Sequence, residues 1–393
     1  MHPVRLTVSD DRRRSRLTVF FRLLLVLPHL VWLAGWTLVA EVVAIANWIA
    51  VVINAESPPV LHEFLARYVR YATHVFAFLF MAANPFPGFV GRPGYPVDLE
   101  FAPRERQSRL SAAFRLLLAI PAAILASLVG VFFLRFGLIL LTAAGIWLAA
   151  LILGRAPRGL RDLAAWALGY SAQASAYVLL VTGRYPDSHP DRLLGEQTLP
   201  YHPVRMRVED DLRRSRLTTF FRLLLAFPHL FWLIIWGVVA AVAAIVNWFA
   251  ALIVGRSPRV LHRFLAAYIR YTSQVYAFLF LVAGPFPGFV GHEAGSPVTA
   301  VVDGPTGQRR LVTLFRPFLV VPALLLWTAL GLLLVPVAVG GWFVGLGRGR
   351  MPSGLRALGA SLIRYGAQVQ AYSLVVTDRY PSSSPTLRSE LQP

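Results

Sequence analysis

The sequence predicts an all-α integral membrane protein in which a two-module half is duplicated, giving four modules. Each module is expected to hold a short surface strand, an interfacial amphipathic helix and about two membrane helices. Three observations carry this prediction. The 393 residues are 56% hydrophobic and only 15% charged, which is more apolar and less charged than a typical soluble domain. Long apolar runs recur along the chain, and one residue pattern occurs four times.

The composition argues against several classes of protein. The chain has no cysteine, which argues against a disulfide scaffold or a cysteine-ligated metal site. All 38 basic residues are arginine, and with 19 acidic residues the net charge is +19. Such a charge on a soluble protein would suggest nucleic acid, but on so apolar a chain it indicates a membrane surface. We therefore expect anionic lipid headgroups, and no nucleic acid, as partners.

The apolar runs are long enough to cross a membrane. Residues 30–53 form a mostly apolar stretch with one acid, which as a helix would span a hydrocarbon core of about 30 Å. Comparable runs cover 116–153, interrupted by Arg135, then 230–254 and 317–346. Because the first run recurs inside the chain, it is not read as a cleaved signal peptide.

An internal repeat organises the whole chain. A gapless shift of 200 residues places HPVR at position 2 on HPVR at position 202, and PFPGFVG at 85 on PFPGFVG at 285. Each half divides again, because the string R-L-x3-F-R-x5-P occurs four times, beginning at Arg16, Arg109, Arg216 and Arg310. The predicted domains are module A (1–95), module B (96–190), a linker (191–200), module A′ (201–295), module B′ (296–383) and a C-terminal tail (384–393).

The elements of one module can be predicted in order. Alternating residues at 3–8 predict a surface strand, and Ser15 is a candidate N-cap for the helix that carries the string. The apolar run that follows is too long for one straight span, so we expect a bend at Pro28 between an interfacial helix and the span. Extra residues around Arg135 predict a longer, kinked or broken helix in module B. A second helix is expected over about 60–83.

The two arginines of each string are six residues apart, at the depth of the headgroups. An arginine fork suits bidentate contact with phosphate, so these side chains are candidate lipid-phosphate ligands. The alternative is that they only snorkel and fix the depth of the interfacial helix. The candidates are Arg16, Arg22, Arg109, Arg115, Arg216, Arg222, Arg310 and Arg316.

A polar stripe follows one face of the second helix. Its spacing of four, three and four residues predicts a seam that faces a partner helix or a wet cavity. An ordinary solvated face of a partly interfacial helix is the alternative. The candidates are Glu63, Arg67, Arg70 and His74, with Gln173, Arg270, Gln274, Arg364 and Gln368 in the other modules.

One acid, Glu41, falls in the middle of the first predicted span. We expect it to be protonated or paired with an arginine, and a proton relay is the alternative. Histidines near helix ends are interpreted as satisfied polar residues, so no metal site is predicted. Known catalytic motifs are absent from the sequence, which predicts a non-enzymatic protein without a cofactor.

The repeated module resembles a known family. Its start, PVR-x-x-V followed by S-R-L-x3-F-R-L-L-L-x-x-P-H, and its end, T-x-R-Y-P at Thr182 and Thr377, resemble the bacterial membrane family called domain of unknown function 4389. Modules A and A′ depart at their ends, where Pro85-Phe86-Pro87 and its repeat replace R-Y-P. The resemblance implies an integral protein of the bacterial cell membrane and supplies no catalytic residues.

The number of apolar helices and the distribution of arginine predict the topology. Two spans per module give eight, with re-entrant helices as the alternative, and the arginine-rich side that holds both termini is expected to be cytoplasmic. A scaffold that binds anionic lipid or supports a partner membrane protein is the first expectation. A transporter or channel lined by the polar stripe is the second. A lipid-modifying enzyme is the third, but it lacks an evident acid–base pair.

Overall fold

The computed structural model describes residues 2–130, 138–195, 200–292 and 296–387. The chain is mostly helical and divides into two compact units, Met1–Glu196 and Gln197–Pro393. Each unit contains one of the duplicated halves. The predicted interruption of module B around Arg135 lies outside the described residues.

The first unit alternates strands with short and long helices. Its elements are β1 (Val4–Val8), α1 (Arg16–Phe20), α2 (Arg22–Asn54), α3 (Pro59–Leu79), β2 (Val97–Phe101), α4 (Arg109–Ala113), α5 (Arg115–Val129), α6 (Leu138–Leu153), α7 (Arg158–Val178) and α8 (Pro190–Leu194).

The second unit repeats this order with two differences. Its elements are β3 (Val204–Val208), α9 (Arg216–Phe220), α10 (Arg222–Val254), α11 (Arg259–Leu279), β4 (Val298–Val302), α12 (Arg310–Leu319), α13 (Val321–Arg348) and α14 (Ser353–Ser373). Helix α13 takes the place of α5 and α6, and α8 has no counterpart among the described residues.

The surface strands pair between modules. In the first unit β1 and β2 form an antiparallel pair in which Val4 faces Phe101 and Val8 faces Val97. In the second unit β3 pairs with β4 in the same way. Modules A and B of one half are therefore joined by a sheet to which each contributes one strand.

The break after the short helix differs from the prediction. It lies at Phe21, where the backbone leaves helical geometry, and α2 then runs unbroken through Pro28. The expected bend at Pro28 is therefore wrong as a helix boundary. A proline removes a single backbone hydrogen bond, and a helix of 33 residues keeps enough others to continue as one element.

The second helix of each module, meaning α3, α7, α11 and α14, forms the centre of its unit. In α3, Tyr71, Val75 and Phe78 are fully buried against α2, and nearly every residue of α7 is buried. The second helices pack against each other, α3 with α7 and α11 with α14, and against the strands. They are thus interior elements of the fold.

Among the described residues, three helices are long and apolar enough to cross a membrane, namely α2, α10 and α13. Helices α5 and α6 are apolar but shorter. The second helices do not meet the same criterion, because polar side chains interrupt them. Of the most apolar 18 residues of each helix, only 17% are buried in α2 and in α10, and 33% in α13. The long helices therefore present most of their apolar surface outward.

Candidate functional site

The first arginine of each string is exposed. These four side chains, called the outer arginines, begin the short helix of each module and are Arg16, Arg109, Arg216 and Arg310. The preceding Ser108 and Ser215 have the extended backbone of an N-cap, and each side chain accepts a hydrogen bond from the first turn. Ser15 has the same backbone without that bond. In modules B and A′ the cap therefore fixes the start of the helix and with it the position of the outer arginine.

Outer arginines also reach the end of the other long apolar segment in their unit. Arg16 donates from Nη2 to the carbonyl of Ile152 at 3.1 Å, and Arg310 donates to the carbonyl of Ile253 at 3.0 Å. A guanidinium has five N–H donors, so this contact leaves others for a ligand. The outer arginines are positioned by the fold and still accessible.

The second arginine of each string lies inside the protein. These inner arginines are only 1–3% exposed, and they are Arg22, Arg115, Arg222 and Arg316. Arg22 donates from Nη1 to the carbonyls of Phe78 at 2.7 Å and Ala83 at 3.1 Å. Its guanidinium also lies over the Phe78 ring, 4.4 Å from the centroid.

Two of the other inner arginines repeat this contact. Arg222 donates to Phe278 and Ala283 at the same distances, and Arg316 donates to Tyr372 at 3.0 Å. These acceptors lie where a second helix ends, and the carbonyls of a last helical turn lack partners within the helix. Arg22, Arg222 and Arg316 therefore cap the second helices of their own modules. Arg115 instead donates to the carbonyl of Thr182 at 3.2 Å, just after α7, and to Gln107 Oε1 at 2.7 Å, and its guanidinium lies over the Tyr177 ring, 4.0 Å from the centroid.

The turn after each second helix explains why a cation is placed there. Met81, Leu180, Leu281 and Val375 follow the four helices with positive φ, between 58° and 62°. This left-handed turn ends the helix and directs several carbonyls to one place. Arg14 binds the same turn after α3. It donates to the carbonyls of Met81 and Ala82 and forms an ion pair with Asp10 at 2.7 Å.

Sequence analysis missed this cap, although the signal was present. In three modules the inner arginine precedes an aromatic residue of the second helix by 56 positions, as Arg22 precedes Phe78 and Arg316 precedes Tyr372. Arg214 was also overlooked, and it repeats the ion pair of Arg14 with Asp210 at 2.8 Å.

The polar stripe of α3 faces a strand in its second half. Glu63 and Arg67 form an exposed ion pair at its start. Further along, Arg70 donates to the carbonyl of Leu99 at 3.0 Å, and His74 Nε2 lies 2.8 Å from Asp98 Oδ1. Both partners belong to β2.

Asp98 is held in its charged form. Burial alone would raise the pKa of its carboxyl, but hydrogen bonds from His74 and from the backbone N–H groups of Gly94 and Leu99 outweigh burial and lower that pKa. An ionised Asp98 therefore joins α3 of module A to the strand of module B.

The stripe residues of the other modules make similar contacts. Gln173 donates to the carbonyl of Val4, and Gln368 donates to that of Val204, each at 2.9 Å. The remaining members, Arg270, Gln274 and Arg364, donate respectively to Gly291, to His292 and Thr299, and to Ser384 and Thr386. Apart from the exposed pair of Glu63 and Arg67, the stripe residues thus lie between each second helix and the strand or loop that covers it.

Glu41 is exposed near the middle of α2, next to the buried Ala40. Within the described residues it makes neither an ion pair nor a hydrogen bond, so the expected arginine partner is not found there. No group of histidine and acidic side chains in the described part of the chain is arranged to hold a metal ion.

A basic groove of about 440 Å³ lies between α11 and the end of β4. Arg259, His262, Arg263 and Arg270 line it from the helix, and Asp303 lines it from the strand side. The positions that correspond to Arg259 and Arg263 in the first half hold Pro59 and Glu63, so this lining is not repeated there.

Four segments of the chain, 16–90, 109–188, 216–289 and 310–384, match the model of the family described as a domain of unknown function (DUF4389). The chain belongs to this family. Each DUF4389 segment begins at an outer arginine, while the strands β1 to β4 fall outside the matched segments. No curated protein and no solved structure matches the chain.

Proposed function

We propose that this DUF4389 protein is a non-enzymatic membrane scaffold whose outer arginines hold anionic lipid headgroups. One observation carries the proposal. The leucine that follows each outer arginine is 70–74% exposed in all four modules, at Leu17, Leu110, Leu217 and Leu311. An exposed cation beside an exposed large apolar side chain suits the boundary between headgroups and acyl chains.

The chemistry of the outer arginines supports phosphate as the group they bind. A guanidinium presents parallel N–H donors that match two phosphate oxygens, and it is weakly hydrated for a cation. The net charge of +19 adds a general attraction to an anionic leaflet. Anionic phospholipid satisfies both features, with the leucines in the acyl region.

We do not propose the inner arginines as lipid ligands. Their guanidinium groups are buried and donate to protein carbonyls, which occupies the donors that a phosphate would need. We assign them to the fold, so that four arginines per chain remain as lipid ligands.

We infer that the membrane is the bacterial cell membrane and that the termini face the cytoplasm. The excess of arginine over acidic residues supports this orientation, since cytoplasmic segments are enriched in basic residues. A second membrane protein bound to the scaffold remains part of the proposal.

The transporter alternative receives less support. It requires the polar stripe to line a path, but His74, Gln173, Gln274 and Gln368 are buried and donate to, or pair with, the strands and loops beside them. The scaffold accounts for these contacts without a path through the protein.

Native mass spectrometry of the gently solubilised protein tests the proposal. The test variant carries R16Q, R109Q, R216Q and R310Q, and the control variant removes four exposed arginines outside the strings through R67Q, R192Q, R207Q and R263Q. Both lose four charges. We expect anionic lipid to remain on the wild type and the control but to leave the test variant. Equal retention by both variants would contradict the proposal.

A further inference from the structure

We infer that the long apolar helices lie in the plane of the membrane, embedded in one leaflet, rather than crossing it. This inference rests on the membrane association that we propose above, and it specifies the surface that meets the lipid. Within each unit the surface changes from apolar to polar across the long helices, and not from one end of these helices to the other.

One side of the second helix is covered by a strand. In the first unit, Asp98 of β2 lies at His74, and Leu99 of β2 lies at Arg70, one helical turn earlier. In the second unit, His262 Nε2 lies 2.8 Å from the carbonyl of Asp303, just after β4. Position 262 corresponds to residue 62 of α3. A strand therefore runs alongside the second helix through its middle.

Another side of the same helix is covered by the long apolar helix. Along α3, Phe78 meets Arg22, the Tyr71 hydroxyl lies 2.7 Å from His29 Nδ1, and the Tyr68 hydroxyl lies 3.0 Å from Thr37 Oγ1. Helix α2 and strand β2 thus accompany the same stretch of α3. At one level along the helix axes the unit presents an apolar side and a polar side.

A crossing helix would carry the strand into the hydrocarbon. The strand side holds exposed Arg5, Thr7 and Glu100 and the pair of Arg70 with Asp98, 3.5 Å apart. A charged residue at the centre of a bilayer costs about 2.5–3.5 kcal/mol on insertion scales. With the helices in the plane, the strand side faces water and this cost is avoided.

The length of the apolar surface of α2 also supports a helix in the plane of the membrane. Exposed apolar side chains run along α2 from Leu23 to Ile53, which at helical rise is about 45 Å. The hydrocarbon core is only about 30 Å thick. A crossing α2 would leave apolar surface in the headgroups at one end or both, whereas a helix in the plane has no such mismatch.

The occupant of this surface is therefore one leaflet of anionic phospholipid. The two outer arginines of a unit lie near opposite ends of α2, since Arg16 is close to its start and Trp48 donates to the carbonyl of Ala112, in the helix that Arg109 begins. In the plane, both arginines reach phosphates at the same depth. Across the membrane they would reach opposite leaflets.

Single cysteines test this arrangement, because the natural chain has none. The full-length variants are S15C and E56C at the two ends of α2, T7C on the strand and V42C on the apolar face. Variants S215C, R256C, R207C and V242C provide an independent set in the second unit. Labelling with a membrane-impermeant maleimide is compared in right-side-out and inside-out vesicles.

We expect S15C, E56C and T7C to react from the same side only. V42C should react from neither side, and a fluorophore attached there in detergent and reconstituted should be quenched by nitroxide-labelled acyl chains. Reaction of S15C and E56C from opposite sides would overturn the inference. So would reaction of V42C with the water-soluble reagent, since that face would then line an aqueous space.

This outcome is separable from the lipid-retention test. One-sided labelling together with unchanged lipid retention in the outer-arginine variant would reject the headgroup role and keep the helices in the plane. Labelling from both sides together with loss of lipid from the outer-arginine variant would keep the headgroup role and reject helices in the plane.

Discussion

Arg22 donates a 2.7 Å hydrogen bond to the main-chain carbonyl of Phe78, 56 residues further along the chain. The arginine begins the long helix α2, and the carbonyl lies at the end of α3. The Phe78 carbonyl also accepts from the backbone N–H of Met81 at 3.1 Å, so the arginine adds a charge-assisted hydrogen bond to it and complements the dipole of the helix. The contact therefore fixes the antiparallel packing of the two helices.

Removing this contact should destabilise the protein. We expect R22Q to lower the free energy of unfolding by about 3 kcal/mol, because charge-assisted hydrogen bonds are lost and buried acceptors remain. The matched variant R16Q alters an exposed arginine six residues earlier and should change stability by no more than about 0.5 kcal/mol. Unfolding in mixed micelles of increasing denaturing detergent measures both. Equal effects would contradict the division into inner and outer arginines.

The sequence predicted the arginine string but not this division. On a continuous helix, side chains six residues apart point about 120° away from each other, so the two arginines of a string do not face the same side. The helix is also interrupted between them, at Phe21. Which arginine enters the protein depends on the left-handed turn that follows the second helix, and the local spacing of the string contains no information on that turn.

The end of α2 predicts a stabilising substitution. Ala55 has a left-handed backbone with φ of 60°, and the corresponding residue in α10 is Gly255 with φ of 75°. A55G should raise the free energy of unfolding by about 1 kcal/mol, since glycine adopts this conformation without strain.

The reverse change in the second half is the control. Nothing lies within 4 Å of a Cβ built on Gly255, so G255A tests the backbone alone and should lower stability by a similar amount. Stabilisation by G255A would contradict this account.

A buried histidine just before β3, His202, predicts that the stability of the protein depends on pH. Burial lowers the pKa of His202 to about 4, with Arg364 and Arg379 adding to the effect. Nδ1 of this ring lies 3.0 Å from both the backbone nitrogen and the carbonyl oxygen of Val204, and a hydrogen bond to that carbonyl offsets only part of the effect of burial on the pKa. The ordinary pKa is about 6.5.

The unfolded state therefore binds the proton more readily, and stability should fall as the pH is lowered from about 6.5 to about 4. Replacement by asparagine, H202N, should remove this part of the profile. The free energy of unfolding measured across that pH range checks it, and an unchanged slope in H202N would assign the titration to another group.

In each unit, the strand of one module packs on the second helix of the other module, and this arrangement predicts which fragments fold. In the first unit, β1 of module A packs on α7 of module B through Gln173, and β2 of module B packs on α3 of module A through His74. We expect residues 1–196 to give a monodisperse, protease-resistant fragment in detergent. Residues 1–95 should be degraded, because α3 then lacks its covering strand. Comparable protease resistance of both fragments would show that a single module folds alone.

Much of the fold follows from the sequence, but the partners within it do not. Alternation at residues 3–8 predicted a strand, and β1 is found at Val4–Val8. Alternation does not specify the strand's partner, since register depends on which faces are buried. The stripe of Arg70 and His74 was likewise predicted from helical spacing, whereas its partner is a strand that begins more than 20 residues later.

The central claim is that outer arginines bind anionic headgroups while inner arginines support the fold. Thermal unfolding in detergent, with anionic or zwitterionic phospholipid added, tests it most directly, because a ligand of the folded state raises its stability. We predict that anionic lipid raises the Tm of the wild type more than zwitterionic lipid does. The variant with R16Q, R109Q, R216Q and R310Q should keep the wild-type Tm without lipid and lose this difference. An equal rise in Tm for wild type and variant would contradict the claim.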